Sequence, residues 1–251
     1  MSIKPLLTEV FKTIDPFMKN MEFLIFYRTE TGDLTFSSRN KDGRYLKITP
    51  KADYPIEGNA CLGKLSYLKT MLDSSFMKLE GSEVTFEYGL ASDKRTNVVK
   101  TITCKSSRAK SVYQTMDPLL NQAVMGAMKS LPSLNLPVQF PLDKEMQKNF
   151  SEALKVIKAY ESPDLVRLEV EGGTLGALFD IRGDSSAVQL RTDLQAPNLS
   201  ARFAVEQVDT LLKLGASYES QIGLSDKMIR LSFSLEHADY MFIVASKKAA
   251  S

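Results

Sequence analysis

The sequence predicts an α+β protein made of two copies of one unit, each a mostly antiparallel sheet with two amphipathic helices. Segments with alternating apolar and polar residues outnumber helical ones along the 251 residues. The order helix, strands, helix, strands occurs twice, at an offset of roughly 140 residues, which indicates internal duplication. Composition is typical of a globular chain, with 43% hydrophobic and 25% charged residues.

The first half begins with a predicted helix over residues 3–14, where apolar residues recur at helical spacing and Pro5 suits the first turn. Alternating runs predict strands over 23–28, 34–38 and 45–49. Gly58-Asn59 precedes a second predicted helix over 60–72. Strands are then expected over 76–80, 83–90 and 98–104.

Residues 117–141 interrupt this order. Asp117-Pro118 begins a Met-rich, helix-like piece that runs to Leu131, and three prolines then predict an extended linker. We therefore divide the chain into a first domain over 1–116, a connector over 117–141 and a second domain over 142–251.

The second half repeats the first. A helix is predicted over 143–160, with Asp143 as N-cap and Pro163 just beyond its end. Strands follow over 165–171, 174–181, 187–192 and 199–205, the first two joined by a tight Gly172-Gly173 turn. A fourth helix over 205–214, stopped by Gly215, precedes strands over 218–224, 228–235 and 239–246.

The helix over 143–160 carries the most informative pattern. Its apolar stripe consists of Met146, Phe150, Ala153, Leu154, Ile157 and Tyr160. The opposite side, an arc of roughly 80°, holds Lys144, Lys148, Ser151, Lys155 and Lys158. Lysines usually face water, so a solvated surface helix is one interpretation. A surface that faces phosphates is the other.

The other helices add to the second interpretation. Their outer sides contribute Lys4, Lys12, Lys64, Lys69 and Lys213. Two similar domains that place helices on a common face build a curved basic surface, so these five lysines and the four above are the predicted phosphate contacts. The net charge of +2 is no evidence for or against this interpretation, because phosphate binding depends on where the charges lie and not on their sum.

Enzyme chemistry finds little support in the residues. One histidine, His237, excludes a multi-histidine metal site, and no phosphate-binding glycine loop occurs. We predict no catalytic residues, no metal and no cofactor. Cys61 and Cys104 fit free thiols in a reducing compartment. Without a signal peptide or an apolar run of membrane-spanning length, we expect a cytoplasmic protein.

Three segments resemble the sliding clamps of tailed bacteriophages, which share the proliferating-cell-nuclear-antigen fold. RLSFSLEHADYMFIVAS (230–246) resembles the closing strands of clamps, and PVQFPLDKEMQKNFSEAL (137–154) resembles the connector end and first helix of the second clamp domain. SARFAVEQVDTLLKLG (200–215) resembles the last channel helix. The resemblance covers most of the second half by motif and the first half by order of elements.

The resemblance implies a homotrimeric ring around duplex DNA, with two helices per domain lining a central channel and antiparallel sheets outside. The nine lysines above would then be the DNA contacts. Edge strands near 98–105 and 187–192 would pair between subunits. The ring would tether the replicative DNA polymerase, an ATP-driven clamp loader would open it, and late-transcription factors associated with RNA polymerase would use it as well. Partner peptides would bind Leu134, Leu136, Pro137, Met241 and Ile243.

Three alternatives remain open from the sequence. A monomeric processivity subunit of the same fold would hold DNA by charge alone and would carry a stronger basic excess than +2. An enzyme with acidic catalytic residues has no pair of carboxylates that spacing singles out. A structural or interaction protein of a virus, made of duplicated β-rich domains, would give the lysines no role in DNA contact.

Overall fold

A computed structural model of the chain describes residues 2–39, 44–120, 134–181 and 184–247. The chain divides into two compact units. Unit 1 comprises Met1–Lys41, Tyr45–Ser130 and Leu235–Tyr240, and unit 2 comprises Asp42–Arg44, Leu131–Ser234 and Met241–Ser251. The Met-rich piece that begins at Asp117 lies mostly outside the described residues.

Unit 1 contains two α-helices and seven strands among its described residues. The helices are α1 (Lys4–Ile14) and α2 (Leu65–Asp73). The strands are β1 (Leu24–Arg28), β2 (Leu34–Arg39), β3 (Arg44–Pro50), β4 (Ala60–Leu62), β5 (Glu83–Leu90), β6 (Asn97–Lys105) and β7 (Lys110–Gln114). They lie in the orders β4-β1-β2-β3 and β5-β6-β7, and the pairings in the second set are antiparallel.

Unit 2 repeats this composition. Its helices are α3 (Lys144–Lys158) and α4 (Val205–Gly215). Its strands are β8 (Val138–Leu142), β9 (Leu165–Glu171), β10 (Thr174–Ile181), β11 (Asp184–Arg191), β12 (Leu199–Ala204), β13 (Ser220–Leu224), β14 (Met228–Ser234) and the larger part of β15 (Ala238–Ala245). The orders are β11-β10-β9-β12, antiparallel throughout, and β15-β14-β13-β8.

Each unit buries the apolar side of its helices. In unit 1, α1 packs on α2 and buries Leu6, Leu7, Val10, Phe11 and Ile14. In unit 2, α3 packs on α4 and buries Met146, Phe150, Leu154 and Ile157. The Phe150 ring lies 5.5 Å from that of Phe179 on β10, which joins helix and sheet in one core. The predicted α+β class with two helices per unit is confirmed.

Two first-half predictions were wrong. The predicted helix over 60–72 begins only at Leu65, because the apolar residues 60–62 form the buried strand β4, where Leu62 pairs with Leu24 of β1. The predicted strand over 76–80 is largely a 3-10 helix, Ser75–Lys78, that buries Met77. Short apolar runs fit either periodicity, and tertiary pairing decides between them.

One strand was missed in the prediction because its segment contains prolines. Residues 138–142, read as linker, form β8, which pairs with β13 at the edge of its sheet. Pro141 lies opposite Gln221 there, and an edge strand tolerates a residue without an N–H. Gly215 is the last residue of α4 and serves close packing, since a Cβ there would come within 2.4 Å of Leu142 Cδ2. The Gly172-Gly173 turn between β9 and β10 is confirmed, with both φ angles positive.

Candidate nucleic-acid interface

Helix α3 presents three different surfaces besides its buried stripe. Asp143 caps the helix, since its carboxylate Oδ1 accepts from the Met146 N–H at 2.7 Å. At about 100° per residue, one surface carries the four lysines and the next carries Glu145, Asn149, Glu152 and Val156. The third overlaps the lysine surface at Ser151, whose hydroxyl accepts from Gln147 Nε2 and lies 3.5 Å from Asp209 Oδ1 of α4.

The lysine surface of α3 is open. Lys144, Lys148, Lys155 and Lys158 are all exposed. Only Lys148 has an ion-pair partner among the described residues, Glu152 at 3.9 Å, and both of those side chains are about two-thirds exposed. An exposed pair of that length contributes little, so all four ammonium groups are free to meet phosphates.

The predicted contact on α4, Lys213, forms an ion pair within its own helix. Lys213 Nζ lies 2.7 Å from Asp209 Oδ2, one turn earlier in the helix, and Asp209 is mostly buried against α3. Its charge is therefore largely compensated within unit 2.

In unit 1, too, some of the predicted lysines are exposed and others bind neighbouring side chains. Lys12 on α1 is exposed, whereas Lys4 is half-buried and donates to the Ser82 hydroxyl. Lys64 is exposed and occupies the N-cap position of α2, without a side-chain capping bond, instead of lying within a helix. Lys69 lies 3.2 Å from Asp73 and 3.5 Å from Asp15, and the hydrogen bond to Asp73 is the main cause that raises the pKa of its ammonium group.

Five of the nine predicted DNA contacts are thus exposed and have no ion pair among the described residues. They are Lys12, Lys64, Lys144, Lys155 and Lys158. With Lys148, the open cations concentrate on α3, and the first helix of each unit contributes to them. A surface of this kind holds phosphates without reading bases, because lysines contact the backbone of the duplex.

One of the two expected sheet edges was wrong. Residues 98–105 belong to β6, the central strand of β5-β6-β7, where Ile102 is fully buried. The edges of that sheet are β5 and β7, and sequence reasoning missed β7 because KSVYQ is short and largely polar. The other expected edge, near 187–192, is confirmed in position, since β11 is an edge strand of the sheet β11-β10-β9-β12.

The free hydrogen-bonding groups of β7 can be assigned. The N–H of Thr115 donates to Lys100 O, and the O of Ala109 accepts from Ser106 N–H. Residues of an antiparallel strand alternate in the direction of these groups, so odd-numbered residues of β7 bond to β6. Lys110, Val112 and Gln114 therefore direct their backbone N–H and C=O groups away from the sheet.

The predicted partner-binding residues differ in accessibility. Leu136 and Ile243 are buried, at 4% and 6% exposure, and Leu136 Cδ1 occupies the space over Gly223 of β13. Leu134 and Met241 are half-buried and Pro137 is exposed. The accessible apolar surface of this set therefore consists of Leu134, Pro137 and Met241.

Large apolar side chains lie exposed near both free edges, and helical periodicity did not indicate them. In unit 1, Tyr67 of α2 stacks on Tyr113 of β7 at 6.3 Å, and Val112 is 45% exposed. In unit 2, Val156 of α3 is 73% exposed. Tyr160, predicted for the buried stripe, is 78% exposed because α3 ends at Lys158 and the chain leaves the apolar side.

The thiols are protected by the core. Cys61 lies among Phe23, Ile25 and Tyr27, and burial raises its pKa to about 12. Burial also raises the pKa of Cys104 to about 11. Within the described ranges, no three His, Cys, Asp or Glu side chains cluster to hold a metal ion, and no helix is long and apolar enough to span a membrane.

Solved structures of proliferating cell nuclear antigens have this architecture. An A. fulgidus PCNA bound to the C-terminal region of FEN-1 superposes with a TM-score of 0.69 at 15% identity, over 97% of either chain. The Entamoeba histolytica proliferating cellular nuclear antigen gives 0.60 at 14% identity, over 98% of this chain and 96% of that one. A PCNA2-PCNA3 complex from Sulfolobus tokodaii gives 0.58 at 12%, over 98% and 97%.

The chain has the PCNA fold. The superpositions cover both units of this chain and nearly all of each clamp subunit, so the duplicated two-domain clamp architecture expected from the sequence is confirmed. No family model and no curated protein sequence matches the chain. At these identities the likeness establishes the fold, and the activity has to be argued from the surfaces above.

Proposed function

We propose that this protein is a sliding clamp, a non-enzymatic ring that encircles duplex DNA and tethers the replicative DNA polymerase for processive synthesis. The observation that carries the proposal is the open lysine surface of α3 on a chain that matches PCNA subunits over 97% of its length. Lysines that contact phosphates hold DNA without regard to sequence, which lets a tethered protein move along the duplex.

The proposed ring is a homotrimer. Three chains with two clamp domains each, 1–116 and 142–251 joined by the connector 117–141, give a pseudo-sixfold ring. Closed rotational symmetry would use the free edges β7 and β11, which otherwise expose unpaired backbone groups. The exposed apolar residues near both edges, Tyr67 and Val112 in unit 1 and Val156 in unit 2, supply area that such an interface would bury.

We propose the partners from the resemblance to the clamps of tailed bacteriophages. They are the replicative polymerase, an ATP-driven clamp loader and factors of late viral transcription, and the setting is the cytoplasm of an infected host cell. The A. fulgidus clamp was solved with a segment of a partner protein, which makes peptide docking a reasonable mode for this chain as well. Leu134, Pro137 and Met241 would supply the accessible apolar anchors, and buried apolar anchors dominate small interfaces.

The second candidate function is a monomeric processivity subunit of the same fold that holds DNA by charge alone. The net charge of +2 argues against it, because an open molecule has no topological link and needs a larger basic excess. Molar mass by light scattering distinguishes the two. With a chain of 28.0 kDa, three copies give 84 kDa, and a mass near 28.0 kDa at concentrations where clamps close would refute the ring.

A further inference from the structure

The turn between β6 and β7 carries an unusual concentration of positive charge. Lys105, Arg108 and Lys110 are exposed there within six residues. Ser106 fixes the turn: its N–H donates to Ala109 O at 2.9 Å, and its hydroxyl accepts from the N–H groups of Arg108 and Ala109 at 3.3 and 3.2 Å. The three cationic side chains therefore project from a turn that hydrogen bonds hold in one conformation.

The charge arrangement in this turn is locally unfavourable. Lys105 and Lys110 are direct Cα partners across β6 and β7, where like charges repel. Glu83 compensates Lys105 weakly, at 3.9 Å with both side chains more than half exposed. Arg108 and Lys110 have no ion pair with any described residue. Like charges held this close within one subunit indicate that these side chains bind something outside the subunit.

A polar cavity of about 430 Å³ in unit 2 has the opposite charge. It lies between the start of α3 and the end of β11 and is lined by Asp143, Glu145, Asn149, Gln189, Arg191 and Thr192. Its one cation is occupied, since Arg191 Nη1 donates to Pro141 O at 2.8 Å and lies 3.3 Å from Asp143 Oδ2. Glu145 is exposed without an ion pair among the described residues, and the exposed Asp193 follows just beyond β11.

Strand direction brings these two features together between copies of the chain. The pairings within β5-β6-β7 and β11-β10-β9-β12 are antiparallel, so we take an antiparallel junction of β7 with β11 of a second copy. The start of β7, at Lys110, then lies at the same end of the junction as the end of β11, at Arg191. The turn before β7 continues in the direction of the cavity. Glu145 and Asp193 have no ion pair there with a described residue, and Asp193 accepts only from the Thr192 hydroxyl at 3.3 Å.

We infer that the cavity receives the β6–β7 turn of a second copy, with Lys110 and Arg108 meeting Glu145 and Asp193. This inference rests on the proposed ring and adds a means of fixing it. Backbone pairing between two edges permits several registers, whereas charges at one end of the junction select one. The junction also becomes sensitive to salt, because exposed ion pairs are screened.

Charge reversal tests the inference. Lys110→Glu places a carboxylate opposite Lys105, so the isolated subunit should melt no lower than wild type. Subunit association, measured by mass photometry across a series of salt concentrations, should weaken about tenfold, as expected for an attractive pair made repulsive. Glu145→Lys should weaken association similarly, and the double variant should recover to within about threefold of wild type. Arg95→Glu at the β5–β6 turn, the other end of the same sheet, is the matched control and should leave association unchanged.

The outcomes separate the inference from the function on which it rests. A wild-type chain that stays monomeric overturns both. A wild-type trimer that Lys110→Glu and Glu145→Lys leave unaffected overturns the inference alone. A trimer unaffected by Lys110→Glu with weaker DNA retention would assign the turn to phosphate contact, which also overturns it. Recovery in the double variant, with the Arg95→Glu control unchanged, supports it.

Discussion

Removing the charge from the lysine surface of α3 should weaken DNA binding and leave folding unchanged. The variant replaces Lys144, Lys148, Lys155 and Lys158 with alanine. Each lysine that neutralises a phosphate contributes about 0.9 to the slope of log affinity against log salt, so four contribute about 3.6 per subunit on the duplex. Over a fourfold rise in salt, wild type should lose about 150-fold more affinity than the variant.

The effect on stability should be small, for reasons visible in α3. None of the four side chains is buried, and the one ion pair lost, Lys148 with Glu152, is exposed and 3.9 Å long. Alanine has the highest helix propensity, which offsets the lost attraction of Lys155 and Lys158 to the C-terminal end of the helix dipole. We expect a net change within about 1 kcal/mol, or a melting shift of about 2–4 °C at most.

The assay is fluorescence anisotropy with duplexes of different sequence across a range of KCl, with light scattering as a check on assembly. Affinity should fall equally for all sequences, because phosphate contacts carry no base information. The control replaces four exposed cations outside α1–α4 with alanine: Lys78, Arg95, Lys100 and Lys227. If the α3 variant keeps the wild-type slope, or if the control flattens it equally, the lysine surface is only solvated and the reasoning fails.

Further predictions concern assembly, partner binding and the thiols. Val112→Pro removes an N–H that points away from β6, so it should dissociate the trimer without unfolding it, whereas Val112→Ala should not; a proline variant that stays trimeric at nanomolar concentration would exclude β7 as the junction. Leu134→Ala with Met241→Ala should lower the affinity of a polymerase C-terminal peptide at least tenfold by calorimetry with the trimer intact, and unchanged affinity would place that site elsewhere. Cys61 and Cys104 should resist alkylation at pH 8 until the protein is unfolded, and since burial raises both pKa values above the ordinary 9.0, stability should fall as pH rises above about 9. Rapid alkylation of the native protein, or a melting temperature that does not fall between pH 9 and 11, would contradict that burial.

The sequence predicted well what local patterns determine. The α3 helix, its Asp143 cap and its lysine surface follow from residue spacing, and the Gly172-Gly173 turn follows from backbone conformation. What it missed depends on neighbours distant in the chain. The short strand β4 becomes a strand by pairing with β1, and β8 keeps Pro141 because it lies on an edge.

The candidate site was predicted in outline for the same reason. Exposure of a lysine follows from its place on a helix, but its partner does not, so Lys69 and Lys213 were counted as free although carboxylates hold both. Burial of Ile243 and the edge position of β7 are properties of the assembled sheet. No periodicity in KSVYQ indicates that this strand, and not β6, is the edge.

Trapping on an end-blocked duplex tests most directly whether the protein encircles DNA. A linear duplex is fixed to a bead at one end, the protein threads over the free end, and a bulky protein then blocks that end. A closed ring should stay on the blocked duplex through a high-salt wash that screens the lysine contacts, and should leave the unblocked one. Equal loss from both duplexes would show that charge alone holds the protein, which contradicts the clamp.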